Sequence, residues 1–173
     1  DLDGINSSQP IVIQTSFVHN SKIGNNSMNL EANGSQTVFN EVLNSATGIY
    51  LTGVEIINNN SINVSSENLS LDFTFNRNSA SDKAWLNYVE VIYKRALNAS
   101  GKNYFSFRDR ASVGAGNVAE YTISGMNSNK MIWEVTNPRA AKIVPGNLAG
   151  SNFTFAIDAD SLRTFAMVDA NGT

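Results

Sequence analysis

Cysteine is absent from the 173 residues, histidine occurs once, and only 16% of the side chains are charged. Without cysteine the chain has no disulfide framework and no thiolate nucleophile. The single histidine, His19, leaves zinc and cysteine–histidine arrangements without their remaining ligands, and its place at the end of a strand predicts a surface residue. No apolar run approaches the ~20 residues that cross a bilayer as a helix, and no charged-then-apolar leader opens the chain. The net charge of −3, the pI near 5.1 and the scattering of Lys and Arg provide no basic surface for phosphate backbones, so nucleic acid is not an expected partner.

What is present is a 42% hydrophobic fraction set among many Asn, Ser and Thr residues. These polar residues bond their own backbone and favour turns over helix interiors. The length suits one domain with one buried core, since domains commonly run to about 100–200 residues. The boundaries predict a single β-sandwich domain over 1–173, as a fragment of a longer exported protein.

Period-two alternation places strands along the whole chain. In PIVIQTSFVHN, Ile11, Ile13 and Phe17 share a face. Asn33-Gly34 is the strongest short-range hairpin signal. In TGIYLTGVEIIN, Ile49, Leu51 and Val54 compete with Tyr50 and Ile56 for the buried side, a conflict that a bulge near Gly53 would reconcile. The polar NNNSINVSSEN stretch reads as a surface loop with at most a short edge strand. In LSLDFTFNR, Leu69, Leu71, Phe73 and Phe75 point one way.

AWLNYVEVIYKRAL is ambiguous between helix and strand, and its β-branched and aromatic content selects a central strand covered on both faces. Further strands follow in NYFSF, VAEYTI, KMIWEV, AAKIV, SNFTFAID and LRTFAMVD, with Pro138 ending the third of these. About a dozen short, mainly antiparallel strands predict an all-β sandwich or jelly roll.

Several short motifs match known sites only in part. Gly114 to Ala119 matches G-x-G-x-x-A, the dinucleotide fingerprint, which needs a strand before it and a helix after it. Here a polar loop precedes and a strand-like EYTI follows, so a tight turn is expected. Asp1-Leu2-Asp3-Gly4 and Asp158-Ala159-Asp160-Ser161 each match part of a calcium loop but lack the remaining ligands, and turn-capping aspartates are expected instead. Trp85, Tyr88, Tyr93 and Trp133 are either core aromatics or a sugar-binding platform, with burial favoured. No cofactor is implied.

The residues Phe107-Arg108-Asp109, Ser112-Val113-Gly114, Gly116-Asn117-Val118, Tyr121-Thr122-Ile123 and Trp133-Glu134-Val135-Thr136-Asn137-Pro138 carry a resemblance. Together with the upstream FTFNRNSASDKAWLNYVEVIYKRAL, they resemble the region just before the catalytic domain in the PorU-like sortases. These are gingipain-type cysteine peptidases of the Bacteroidetes type IX secretion system. The matches run from about Leu69 to Pro145, and residues 1–68 agree only in general β character. The family more often carries aspartate at positions 134 and 137, where this chain has Glu134 and Asn137.

The resemblance implies a parent that removes a C-terminal secretion signal from cargo and transfers the cargo to an anionic lipopolysaccharide at the cell surface. For this chain it implies a non-catalytic β-domain, exported to the outer-membrane surface or periplasm of a Gram-negative bacterium. Its implied partners are the catalytic domain of the parent, other secretion-system components, and a glycan or lipopolysaccharide. A carbohydrate-binding jelly-roll module is the alternative. Arg108, Asp109 and Arg110 are either an interdomain contact or a turn cap, and Trp85 and Tyr88 are the other binding candidates.

Overall fold

A computed structural model describes residues 1–22, 24–46 and 52–172. The chain divides into two compact units, Asp1–Ala96 and Leu97–Thr173, and both are all-β. The first unit contains β1 (Ile11–His19), β2 (Asn26–Ala32), β3 (Gln36–Leu43), β4 (Val54–Ile62), β5 (Leu71–Asn76) and β6 (Ala84–Ile92). They form two three-stranded antiparallel sheets, ordered β4-β1-β6 and β3-β2-β5.

The alternation that predicts β1 is what builds the core of this unit. Ile11, Ile13 and Phe17 are fully buried from one sheet, and Met28, Leu30 and Leu43 meet them from the other. The rings of Phe17 and Phe39 stack across the gap at 6.1 Å and 10°. Burying each such side chain contributes about 1.5–3 kcal/mol relative to exposure. Leu69, Leu71, Phe73 and Phe75 pack against the same cluster, as their spacing predicts.

The predicted hairpin is present. Asn33 and Gly34 take φ of 53° and 72°, the left-handed region that these two residue types tolerate best. Asn33 also accepts a bond from the Ser70 amide through Oδ1 and donates its own amide to the Ser70 carbonyl, both at 3.0 Å. The hairpin tip is thereby tied to the segment that enters β5.

Three expectations for this unit are corrected. β4 runs through Asn58, Asn59 and Asn60, because the polar stretch pairs along the edge of β1 out to Ile11↔Ile62. Val54 and Ile56 share its inner side, while Ile49, Tyr50 and Leu51 lie outside the described residues. β6 is an edge strand and not a central one, since β1 takes the middle of its sheet. His19 is not on the surface: it is 1% exposed, and the Ser21 amide donates to its Nδ1 at 3.3 Å.

The fully buried Asp82 supports that strand end. It accepts from the Lys22 amide at 3.3 Å and from Asn26 Nδ2 at 2.7 Å, and Asn26 in turn accepts from the Asn78 amide at 2.7 Å. Burial lowers the His19 pKa below its ordinary value, with the Asp82 charge opposing that shift.

The second unit contains β7 (Tyr104–Phe107), β8 (Val118–Ile123), β9 (Lys130–Glu134), β10 (Lys142–Ile143), β11 (Asn147–Ala149), β12 (Asn152–Asp158) and β13 (Phe165–Asp169). Its antiparallel sheets are ordered β10-β9-β13-β7 and β11-β12-β8. Between them lies an aromatic cluster in which Phe165 sits 5.3 Å from Phe107, Tyr121 and Phe155. Ile123, Ile132 and Met167 complete it. The described residues thus hold two buried clusters, one in each unit, where length and composition suggested one core.

Two outcomes follow from this packing. Phe165→Ala removes the ring shared by three aromatic contacts and is expected to cost about 3–5 kcal/mol, read as a fall in the denaturant midpoint. A loss under about 1 kcal/mol would contradict the packing. The second outcome concerns pH. Because His19 has a depressed pKa in the folded state, the unfolded chain binds the extra proton first as acidity rises. Its stabilising contribution is therefore complete above about pH 6.5 and declines below it, by at most about 1.4 kcal/mol per pH unit. His19→Gln should flatten this dependence in urea unfolding measured from pH 7.5 to 5.

Candidate functional site

The outward side of the β4-β1-β6 sheet carries the predicted aromatics. Ala84, Val91 and Tyr93 pack against the core, yet they lie on alternating positions of opposite parity. The pairing explains this: Ser16 faces Tyr88 while Phe17 faces Leu86, so Asn87 is an extra residue in β6. The bulge turns Asn87 and Tyr88 to the same outer side as Trp85. Trp85 is 51% exposed and Tyr88 38%, which corrects the expectation that they are core residues.

Beneath them Ser16, itself fully buried, donates to Glu55 Oε1 at 2.6 Å and accepts from Asn87 Nδ2 at 3.4 Å. The other two aromatics behave differently. Tyr93 packs on the core of its unit and Trp133 is half-buried in β9.

Arg108, Asp109 and Arg110 lie directly after β7. Asp109 shapes the turn: its Oδ1 accepts from the Ala111 amide at 3.0 Å, and its carbonyl accepts from the Ser112 hydroxyl at 3.1 Å. Arg108 and Arg110 stand exposed on either side of it. The glycine loop that follows is the expected turn and leads into strand β8, not a helix. Gly116 takes φ of 75° and donates its amide to Asp160 Oδ1 at 2.6 Å. The Gly114 amide donates to the Ala159 carbonyl and the Ala159 amide to the Asn117 carbonyl. Asp160 therefore caps this loop, and Asp3 pairs with Arg95 at 2.7 Å. A small cleft beside the loop, lined by Asp109, Ser112, Tyr121, Asp158 and Arg163, has room for about one water molecule.

The WEVTNP segment also has a structural account. Glu134, nearly buried in β9, receives Arg163 Nη1 at 2.9 Å on Oε1 and has Lys142 Nζ 3.3 Å from Oε2. Burial would raise its pKa, but the bonds and charges of Arg163 and Lys142 outweigh that and hold it below its ordinary value. Asn137 caps the 3-10 turn Pro138–Ala140 by accepting the Arg139 amide at 3.1 Å. Both positions that depart from the family pattern thus keep a carboxylate or capping role.

Of the predicted site residues, the structure brings Trp85 and Tyr88 together on one face and places Arg108, Asp109 and Arg110 at one turn. Sequence reading missed the Ser16–Glu55–Asn87 group, because only the strand pairing and the bulge assemble it. Among the described residues no group of three or more His, Asp or Glu side chains is placed to hold a metal ion.

Glu134→Ala leaves Arg163 without its buried carboxylate. It is expected to cost about 1–3 kcal/mol of stability at pH 7, measured by chemical denaturation. Since the folded pKa of Glu134 is depressed, its contribution is present above its ordinary pKa and fades as pH falls through the folded value. The difference between wild type and Glu134→Ala should therefore shrink below about pH 4.

Comparison with known proteins adds a fold relationship. No family model matches the chain, and no curated protein matches it in sequence. Among solved structures, the crystal structure of dimeric latent PorU from Porphyromonas gingivalis superposes with a TM-score of 0.79 at 20% identity. The match covers 96% of this chain and 16% of that one. Both units together, and not an isolated motif, are therefore similar in fold to one portion of PorU.

Proposed function

We propose that this chain is a non-catalytic accessory portion of a type IX secretion sortase-like, gingipain-type cysteine peptidase that processes secreted cargo and attaches it at the cell surface. The fold match to PorU over 96% of the chain is the observation that carries this reading. The absence of cysteine supports the non-catalytic part, because a thiolate cannot come from these 173 residues.

In this reading the chain lies at the outer-membrane surface or in the periplasm, and its first partner is the peptidase domain of the same polypeptide. Arg108 and Arg110 are the contact residues, presented by a turn that Asp109 keeps rigid. The isolated chain should hydrolyse no peptide. In the full-length polypeptide, Arg108→Glu with Arg110→Glu should slow removal of the cargo's C-terminal signal by about tenfold, the equivalent of about 1.4 kcal/mol of lost contact. Mass spectrometry of secreted cargo reads that outcome. Thiol-independent cleavage by the purified chain would overturn the accessory role, and unchanged cargo processing would overturn the arginine contact.

A further inference from the structure

The exposed aromatics of β6 need a physical reason, because half-exposed Trp and Tyr side chains on one sheet face are costly to leave in water. Addition of another strand at this edge is one candidate reason. The bulge at Asn87 opposes it, since bulges twist an edge away from flat pairing. The same bulge has a second effect, which is to re-aim side chains. It gathers Trp85, Asn87 and Tyr88 on one face over the buried Ser16 hydroxyl, which orients the Glu55 carboxylate and the Asn87 amide.

We propose that this face binds neutral sugar rings. Trp85 and Tyr88 lie opposite Val18 and Ser16, roughly 7 Å apart along β1 at 3.3–3.4 Å per residue, a spacing on the scale of small sugar rings. Their rings offer the apolar faces on which sugar C–H groups stack. Glu55 and Asn87 supply acceptors and donors for ring hydroxyls, held in place by Ser16 as a preorganised shell. Charge selects the class of sugar. β4 directs the exposed Glu55 carboxylate outward beside the aromatics, opposite Val18, and that charge repels uronic acids, sulfates and phosphates. This inference is independent of the proposed peptidase association.

The test is saturation-transfer NMR on the purified chain with malto-, cello-, manno- and chito-oligosaccharides as neutral probes, and heparin and polygalacturonate as anionic ones. At least one neutral probe should receive saturation at its ring protons and shift the Trp85 indole resonance. Trp85→Ala and Tyr88→Ala should each weaken that binding about tenfold or more, with strand circular dichroism unchanged. If an alanine variant loses its fold, the Trp85 shift in the unmodified chain decides. The proposal fails if no neutral probe binds at millimolar concentration, if binding survives in the double variant, or if the anionic probes bind as tightly.

Discussion

Everything in each unit depends on the closure of two sheets over one layer of apolar side chains. A sheet with one apolar face must bury that face against another element, and here the partner is the second sheet of the same unit. The stacking of Phe17 on Phe39 and the packing of three aromatics around Phe165 are where the sheets of each unit meet. Loops, caps and ion pairs then settle what that closure leaves at the rim. Asp82 bonds the Lys22 amide and Asn26 at the start of β2, Asp160 bonds the glycine loop, and Glu134 joins β9 to Arg163.

Much of this was legible in the sequence, for a local reason. Alternation at Ile11, Ile13 and Phe17 and at Leu69 to Phe75 identifies which side of a strand is buried, because side-chain direction has a fixed period of two. Asn33-Gly34 announces its turn because both residues accept positive φ. The glycine loop at Gly114 was readable as a turn because the strand that follows it was readable.

What could not be read is set by pairing across distance. Whether AWLNYVEVI is central or at an edge depends on where β1 pairs, some seventy residues earlier, and no local pattern encodes that. His19 is buried beside Asp82, which lies some sixty residues further along the chain and which no local pattern places there. The run of asparagines in β4 looks like a loop by composition, yet its backbone completes the ladder with β1. The bulge at Asn87 is likewise invisible until the registers of β1 and β6 are compared, and it decides which aromatics face outward.

The central place of β1 has a kinetic consequence. Its two ladders run to Ile62 and to Ile92, while the neighbouring β2–β3 hairpin closes over three residues. Contacts of such wide separation form late, because the entropy of closing the intervening loops must be overcome first. During synthesis the most apolar strand of the first unit therefore gains β4 only after about sixty residues have emerged, and β6 only after about ninety. That interval, and not the stability of the finished sandwich, is when this unit is most exposed to aggregation.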